Sequence, residues 1–380
     1  MREPPANLAD ETLRACLRES YGLAVAEITF LPLGHDPSAW VYRARTADSG
    51  DYFVKVRLSV TNEAGVLIPR YLRDQGIKYV VAPIPTLSRA PWANADGYAV
   101  LLYPFIDGAT GMERGMSDRQ WIDYGVLLRQ VHDTAVMPDL ARVMPRESYA
   151  PVGADSIERL DADVGADADA RTFDDPAAKD LAMTWWAHRA DIRTLLERAV
   201  DLGQRLARAA PPFVLCHADI HTANVQLDAG GQVWFVDWDE TVLAPRERDL
   251  MFVVGGGIST RLVGPREEAL FFQGYGQGYG ATTVDPLALT YYRYAWAVAD
   301  VGAYGEEVFY RPDLGPVTRR AAVEQFQSLF APGNIVSLAF ASDADAASRP
   351  AGDAVAEPSP LRRRQPTRCQ PMPDREGGPA

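Results

Sequence analysis

Two polar clusters decide how this sequence is interpreted, and they read Cys216-His217-Ala218-Asp219-Ile220-His221-Thr222-Ala223-Asn224 and Asp237-Trp238-Asp239. Each cluster directly follows a short apolar run, which predicts two buried strands with polar residues at their ends. Carboxylate and amide oxygens are ligands that Mg²⁺ prefers, and a carboxylate can also accept the proton of a hydroxyl group. The two clusters therefore indicate a site for magnesium-dependent phosphoryl transfer.

Phosphoryl transfer requires few side chains, because its loose transition state is stabilised mainly by positioning and by neutralised charge. Asp219 is the candidate catalytic carboxylate, and Asn224 and Asp237 are the candidate metal ligands. His217 is expected to brace the loop by hydrogen bonding to the backbone or to the second cluster, whereas His221 either faces the substrate or lies on the surface. A zinc site of His217, Asp219 and His221 is an alternative, but it would leave Asn224 and Asp237 without a purpose.

The composition predicts a protein of two lobes. The chain has 380 residues, more than one average domain, and 47% of them are hydrophobic. No apolar run approaches the roughly 18 residues of a membrane span, and the N-terminus lacks the apolar core of a signal peptide. The 3 cysteines are widely separated and suggest reduced thiols. We therefore expect a cytoplasmic protein without a membrane partner.

The net charge of the sequence constrains its partners. A formal charge of -13 disfavours nucleic acid, because the surface field would repel phosphates. A small cationic substrate would be attracted, although an acidic surface can also serve solubility alone.

The pattern of apolar residues changes near residue 105. Short apolar runs between 28 and 103 alternate with turn residues, and a helical stretch at 63–74 is expected to break or kink at Pro69. Helical periodicity dominates afterwards, as in 121–132 and 180–209. The sequence therefore predicts an α+β fold with a small antiparallel-sheet lobe at 1–105 and a larger, mainly helical lobe at 106–340.

Two segments differ from the rest in composition. Residues 151–176 are rich in acids and alanines and are expected to form a solvated loop with a short helix. Residues 341–380 contain few aliphatic or aromatic residues, so they cannot bury enough surface to offset their ordering entropy and should be disordered.

The pattern His-x-Asp-x-x-x-x-Asn followed by Asp-x-Asp resembles the aminoglycoside phosphotransferase family of the protein kinase-like fold. Protein kinases have His-Arg-Asp and Asp-Phe-Gly at these places, so Ala218 and Trp238 favour the small-molecule branch of the fold. The resemblance covers roughly residues 15–335. It implies a bilobal kinase-like fold that binds ATP together with Mg²⁺.

The resemblance also implies how the nucleotide is held. Lys55, at the end of an alternating strand, would pair with the α and β phosphates, and Glu63 would be its ion-pair partner. The loop at 33–40 would cover the phosphates through Gly34 and Ser38. Backbone groups at the hinge between the lobes would bind the purine, and this hinge is formed by Leu102, Tyr103 and Phe105.

Two further positions that match the family are expected to have structural rather than catalytic roles. His132 ends a Leu-x-x-x-His helix and is expected to be a packed, hydrogen-bonded histidine. Arg248 and Asp249 are expected to form a buried charge pair that stabilises the catalytic hairpin.

Within the family, the sequence most resembles the spectinomycin phosphotransferases, in the stretches Gln75-Gly76-Ile77, Val81-Ala82-Pro83-Ile84, Leu102-Tyr103-Pro104-Phe105-Ile106-Asp107-Gly108 and Tyr291-Tyr292-Arg293-Tyr294. This resemblance implies transfer of the γ-phosphate of ATP to a hydroxyl of spectinomycin, a cationic aminocyclitol, and hence antibiotic resistance. Aromatic faces and acids suit ammonium groups, and the candidate substrate residues are Tyr294, Trp296, Asp300 and Glu307. The alternative is an amphipathic helix with Tyr294 and Trp296 in the core and Glu306 and Glu307 in solvent.

Two other functions compete with an antibiotic kinase. A metabolic kinase of the same fold could act on choline, homoserine or a sugar. An inactive kinase-like binding module should lack a catalytic residue, whereas this sequence retains Lys55, Asp219, Asn224 and Asp237.

Overall fold

The computed structural model describes residues 3–5, 7–34, 36–47, 50–164, 173–257, 263–276 and 284–348. These residues form the α+β bilobal fold that the sequence predicts, with an antiparallel sheet near the N-terminus and helices in most of the remainder. None of the helices within the described ranges combines the length and apolar character needed to cross a membrane.

The smaller lobe is built on a five-stranded antiparallel sheet. In the order β1-β2-β3-β5-β4 its strands are β1 Val25–Leu31, β2 Ala39–Thr46, β3 Asp51–Arg57, β5 Tyr98–Pro104 and β4 Ala93–Ala95. Helix α1, Asp10–Tyr21, packs its apolar side chains with those of Val54 and Val56 in one core. Because alternate residues of a strand point to opposite faces, Lys55 and Arg57 share the other face of β3, which lines the cleft between the lobes.

Helix α2, Ala64–Asp74, belongs to the core of the larger lobe although its sequence lies within the smaller one. Ile68 and Leu72 are buried in the same cluster as the helices of the C-terminal part. A Cβ atom on Gly65 would lie 2.8 Å from the Trp238 carbonyl oxygen, so glycine permits a close approach of α2 to the second polar cluster. The predicted break at Pro69 is wrong, because α2 is one continuous helix whose buried face offsets the lost hydrogen bond.

Two small antiparallel sheets carry the polar clusters. One pairs β7, Val214–Cys216, with β10, Val242–Ala244. The other has the order β6-β8-β9, with β6 at Gly108–Thr110, β8 at Val225–Asp228 and β9 at Val233–Phe235. The first cluster is the loop between β7 and β8, hereafter the catalytic loop (217–224), and the second follows β9 directly.

The rest of the larger lobe is helical. Its described helices are α3 Gly111–Arg114, α4 Asp118–His132, α5 Pro138–Val143, α6 Ala154–Val164, α7 Pro176–Ala187, α8 Arg189–Ala209, α9 Glu247–Leu250, α10 Pro265–Tyr275, α11 Pro286–Phe309, α12 Pro316–Leu329 and α13 Ile335–Ser348. Helix α11 lies at the centre, in contact with α6, α8, α12 and α13.

Two expectations about loops can be compared with the structure. The acidic segment at 151–176 contains the expected short helix, α6, whose Ile157, Leu160 and Val164 form a buried stripe, and Asp161 on its outer side pairs with Arg189 and Arg193. The predicted disordered tail is wrong for residues 341–348, which continue α13. There the Ser342 hydroxyl accepts a 2.6 Å hydrogen bond from Arg293, a buried polar contact that composition does not reveal. Residues 165–172 and 349–380 lie outside the described residues.

Candidate active site

The catalytic loop is held by the buried carboxylate of Asp249. Its Oδ2 accepts the backbone N–H of His217 at 2.9 Å, and its Oδ1 accepts that of Ala218 at 2.6 Å. Ala218 has φ of 69°, in the left-handed region that L-residues rarely occupy. The carboxylate therefore fixes the sharp turn that leads into Asp219.

His132 completes this arrangement from helix α4. Its Nε2 lies 3.0 Å from Asp249 Oδ2, and its Nδ1 lies 2.6 Å from the Tyr275 hydroxyl. The expectation of a packed, hydrogen-bonded histidine is confirmed. Burial alone would raise the pKa of Asp249, but the hydrogen bond and charge of His132 hold that pKa below its usual value.

Arg248 does not form the expected charge pair with Asp249. Within the described ranges Asp249 has an ion pair with His132 instead, and the Arg248 guanidinium lies 5.0 Å from the ring centroid of Trp296. The reason is geometric, because consecutive residues of the short helix α9 point in different directions. Asp249 thus stabilises the catalytic loop through backbone amides, while Arg248 faces the aromatic side chains of α11.

His217 braces the two clusters against each other, as expected from the sequence. Its Nε2 donates to the carbonyl oxygen of Val236 at 2.9 Å, and its Nδ1 accepts the Asp219 N–H at 3.3 Å. Burial lowers the pKa of His217, which favours this neutral tautomer. Because both ring nitrogens are engaged, the zinc alternative for His217, Asp219 and His221 is wrong.

Asp219 has one carboxylate oxygen held and one free of hydrogen bonds. The Asn224 side chain donates to Asp219 Oδ2 at 2.8 Å and to the Asp219 backbone oxygen at 2.7 Å. The other oxygen, Oδ1, is buried and has no hydrogen-bond donor among the described residues, although His221 Nε2 lies 3.3 Å away. Burial, together with the charge of Asp237, raises the pKa of Asp219 well above its usual value. A carboxylate of this kind is suited to accept a proton.

Asn224 and Asp237 are brought together by the β8–β9 hairpin. Val225 pairs with Phe235, and the Val236 N–H donates to the Asn224 carbonyl oxygen at 3.1 Å. Since the Asn224 amide nitrogen is used by Asp219, the amide oxygen points away from Asp219. An amide oxygen and a carboxylate are hard oxygen donors that suit Mg²⁺, so this pair fits the proposed metal role.

A second group of potential metal ligands is explained by the structural hydrogen bonds. His132, Cys216 and Asp249 offer ligand atoms that lie within 4.8 Å of one another. The His132 and Asp249 atoms already bond to each other, to Tyr275 and to the catalytic loop. This group therefore belongs to the support of the loop.

Lys55 is paired across the cleft, but not with Glu63. Its Nζ lies 2.8 Å from Asp237 Oδ1 and 2.6 Å from Asp239 Oδ2. Burial would lower the pKa of Lys55, but these two carboxylates raise it. Glu63 is exposed and precedes α2, so the expected Lys55–Glu63 pair is wrong.

Asn62 explains why Glu63 is displaced. The Asn62 side chain donates to the Asp239 carbonyl oxygen at 2.8 Å and to the Thr241 carbonyl oxygen at 3.1 Å. Its Oδ1 accepts the Ala64 N–H at 3.1 Å. The start of α2 is thereby attached to the second cluster, and Glu63 is left on the outside.

The loop expected to cover the phosphates has its own internal bonds. Gly34 has φ of 81°, a conformation that favours glycine. The Ser38 N–H and hydroxyl both donate to Asp36 Oδ1, at 2.7 and 2.6 Å. The Ser38 amide expected to contact phosphate is therefore engaged by Asp36 in this structure. His35 lies outside the described residues.

The expected hinge lies at the end of β5. The Leu102 carbonyl oxygen accepts the Ile84 N–H at 2.7 Å, which occupies one of the backbone groups expected to bind the purine. Tyr103 packs edge-on against Phe53, and the Arg43 guanidinium lies 4.5 Å from the Phe105 ring centroid. The chain then crosses to β6 of the larger lobe.

Three of the four candidate substrate residues lie on one face of α11, together with Tyr304. Burial raises the pKa of Asp300 to about 7 and that of Glu307 to about 7. The pKa of Tyr304 is raised by burial and by the charges of Asp300, Glu307 and Asp219, so Tyr304 is exposed to the field of the candidate catalytic carboxylate as well as to the two acids of α11. Glu307 is buried, which contradicts its placement in solvent in the amphipathic alternative.

Tyr294 must be removed from the candidate substrate residues. Its hydroxyl donates to Asp343 at 3.0 Å, and its ring packs edge-on against Phe340. It therefore faces α13, because it lies on a different side of α11 from Trp296. Trp296 itself is half-buried and packs edge-on against Phe252.

Several residues of the site were missed from the sequence. They are Asp36, Arg57, Asn62 and Asp239. The alternation of β3 could have revealed Arg57, which shares the face of Lys55, and Asp239 is visible in the Asp-x-Asp motif. Asn62 and Asp36 carry no comparable signal, since each depends on a segment distant in sequence.

The chain is similar to proteins of known family and structure. Residues 27–292 match the model of the APH phosphotransferase enzyme family. Spectinomycin phosphotransferase APH(9)-Ia, in complex with ADP and spectinomycin, is similar with a TM-score of 0.75 and 30% identity, over 89% of this chain and 99% of that chain. Its AMP-bound complex gives a TM-score of 0.72 and 29% identity, over 87% and 98%.

More distant similarity shows the fold alone. Choline kinase LicA from Streptococcus pneumoniae has a TM-score of 0.52 and 14% identity, over 84% of this chain and 99% of that chain. No curated protein sequence matches the chain.

The support of the catalytic loop can be tested with Asp249→Asn. The variant should lose roughly 3–5 kcal/mol of unfolding free energy at pH 7, because a buried charged acceptor of three donors is removed, and its turnover should fall. The folded pKa of Asp249 is lowered, so its contribution to stability is present above about pH 4 and is lost as the pH falls through the folded pKa. Denaturant unfolding should therefore show the difference from wild type narrowing in acid.

Asp175→Asn is a matched control. Asp175 caps α7 by accepting the Ala177 N–H at 2.9 Å and pairs with Arg319, far from the catalytic loop in sequence. This variant should lose stability with turnover unchanged. Equal turnover of wild type and Asp249→Asn would contradict the role assigned to Asp249.

Proposed function

Since the chain belongs to the phosphotransferase enzyme family, it is a small-molecule phosphotransferase, and we propose that it transfers the γ-phosphate of ATP to a ring hydroxyl of spectinomycin or a closely related aminocyclitol. Such a reaction would inactivate the antibiotic and give resistance. One observation carries the proposal: the buried Oδ1 of Asp219 accepts no hydrogen bond from the described residues, while Asn224 holds the other oxygen, Oδ2, at 2.8 Å.

The carboxyl groups on α11, where the acceptor would bind, support a substrate with more than one positive charge. Spectinomycin has two secondary amines, which are cationic at neutral pH. Asp300 and Glu307 offer two carboxyl groups on the same face of α11 as Tyr304. Two carboxyl groups match the two amines of spectinomycin better than the single positive charge of choline.

Asp219 would act on the attacking hydroxyl. Its Oδ1 accepts the proton as the acceptor oxygen forms a bond to the γ-phosphorus and the bond to the bridging oxygen of ADP breaks. Because Asn224 donates to Asp219 Oδ2, Oδ1 is the oxygen left for the hydroxyl of the acceptor. The proton leaves Asp219 after the phosphorylated product has departed.

The opposite side of the site would hold the nucleotide. Asn224 and Asp237 would bind Mg²⁺, which neutralises charge on the phosphate oxygens. Lys55 supplies a buried positive charge at the same place. Similarity to a protein crystallised with ADP and spectinomycin supports a nucleotide and an aminocyclitol as the two ligands.

Replacement of the base tests the mechanism. Asp219→Asn should lower turnover by roughly 10²- to 10⁴-fold, the usual contribution of a positioned base, while ADP affinity measured by calorimetry is largely kept. Asp228→Asn is the control, because Asp228 lies on the same hairpin and its side chain bonds to Trp234 and Gln232 near the turn of that hairpin. Retained turnover in the Asp219 variant would refute its catalytic role.

A screen of acceptors tests the substrate. Nucleotide consumption would be measured with spectinomycin, several aminoglycosides, choline and homoserine. We expect consumption with spectinomycin and its loss in the Asp219→Asn variant. Activity on choline alone would overturn the antibiotic proposal and leave the family assignment intact.

The acidic face of α11 predicts a pH-dependent acceptor KM. Because the pKa values of Asp300 and Glu307 are raised to about 7, both carboxyl groups gain charge as the pH rises from about 6 to about 8. The KM for spectinomycin should fall over this range while its amines remain protonated. Asp300→Asn should raise that KM roughly tenfold, with the KM for ATP unchanged. An equal rise in both constants would argue against a substrate role for Asp300.

A further inference from the structure

A chain of four charged side chains crosses the cleft on the nucleotide side. Arg57 Nη2 lies 3.1 Å from Asp36 Oδ2, and Arg57 Nη1 contacts Asp239 Oδ2. The same Asp239 oxygen lies 2.6 Å from Lys55 Nζ. We call the set Asp36, Arg57, Asp239 and Lys55 the cleft ion chain.

The inner members of this chain are well shielded from water. The side chains of Lys55 and Arg57 are 10% and 11% exposed, and that of Asp239 is 19% exposed. Charges at such depth interact more strongly than surface pairs. The Arg57 Nε is also buried without a hydrogen-bond acceptor in the described structure, so this guanidinium depends on its two carboxylates.

Asp36 connects the cleft ion chain to the turn at 36–38, which leads into β2. One of its oxygens receives both Ser38 donors, and the other receives Arg57. The Leu58 N–H also donates to the Ser38 carbonyl oxygen at 3.0 Å, directly after Arg57. The Asp36 carboxylate is therefore the side-chain link between this turn and β3, beside that backbone hydrogen bond.

Asp239 connects the cleft ion chain to the larger lobe. Its backbone oxygen is held by Asn62, and a close approach at Gly65 fixes α2 against the same residue. Of the two carboxylates on Lys55, Asp237 is the candidate metal ligand. Asp239 is thus the partner that can retain Lys55 when Asp237 serves a metal, in the place where Glu63 was expected.

We propose that Arg57 is a positioning residue for phosphoryl transfer, which bridges Asp36 and Asp239 and so holds the turn at 36–38 against the carboxylate that positions Lys55. This inference rests on the proposed function only in taking a nucleotide as the ligand of this side of the cleft. Arg57 acts through Asp36, Asp239 and Lys55 and makes no bond to the acceptor.

Arg57→Gln tests the proposal in two measurements that need neither metal nor acceptor. Amide hydrogen exchange at Ser38 and Ala39 in the nucleotide-free protein should become faster, because the Asp36 carboxylate loses its anchor. Calorimetry with ADP in the presence of a chelator should show affinity weakened roughly tenfold. In steady-state kinetics the KM for ATP should rise while the KM for the acceptor stays constant.

Arg57→Lys separates a bridge from a simple positive charge. Lysine keeps the charge but lacks the planar fork that reaches two carboxylates. Amide hydrogen exchange at Ser38 should therefore be as fast in Arg57→Lys as in Arg57→Gln. Wild-type exchange and ADP affinity in Arg57→Lys would overturn the bridging role.

Arg45→Gln is the matched control. Arg45 lies at the far end of β2 from the cleft and pairs with Glu27 and Asp51 on the surface of the same sheet. Both measurements should remain at wild-type values in this variant. If exchange and ADP affinity changed as much in Arg45→Gln as in Arg57→Gln, the effect would be a general property of the sheet. That result would refute the proposal.

Asp36→Asn provides a second route if Arg57→Gln fails to fold. Asp36 is 37% exposed, so its replacement is milder, and it should also speed exchange at Ser38. In the double variant the losses in ADP affinity should be less than additive, because both changes break the same contact. Full additivity would refute the bridge. If the acceptor screen showed no activity on spectinomycin, the exchange and ADP-affinity results would still stand. The proposed substrate and the proposed role of Arg57 can therefore be refuted independently.

Discussion

One buried carboxylate sets the geometry on which the site depends. Asp249 accepts two successive backbone N–H groups of the catalytic loop and is itself held by His132. Hydrogen bonds to a charged group contribute about 1.5–3 kcal/mol each, which is enough to hold Ala218 in a left-handed conformation that costs about 1–2 kcal/mol. The direction of Asp219 follows from that turn.

Around this fixed point the cleft separates two kinds of charge. Lys55 and Arg57 place positive charge on the side of the smaller lobe, whereas Asp300 and Glu307 place carboxyl groups on the side of α11. Between them is Asp219, whose pKa is raised by burial and by the charge of Asp237, so that its ionised form is a stronger base than an ordinary carboxylate. A polyanion and a cation can therefore occupy neighbouring positions without sharing the same electrostatic environment.

Local patterns in the sequence were enough to predict the two lobes, because strand and helix periodicity differ on the two sides of residue 105. The bracing role of His217 followed from its place beside Asp219, and the packed environment of His132 followed from the resemblance to the family. The Lys55–Glu63 pair and the orientation of Tyr294 were wrong, since they depend on how α2 and α13 dock from distant parts of the chain. The roles in catalysis and binding remain predictions. Arg57 shows the intermediate case, in which alternation indicates the face of a strand but not the partner across the cleft.

The docking of α2 has a consequence for how the chain can fold during synthesis. The sheet and α1 share a core that is complete once β5 has emerged, but Ile68 and Leu72 belong to a core built from residues that follow the hinge. Val66 of α2 packs on β5, but Ile68 and Leu72 stay uncovered until those residues are made. The N-terminal third of the polypeptide therefore cannot finish folding on the ribosome before the C-terminal part arrives, and the hinge is not a place where the chain could be divided into two independent units.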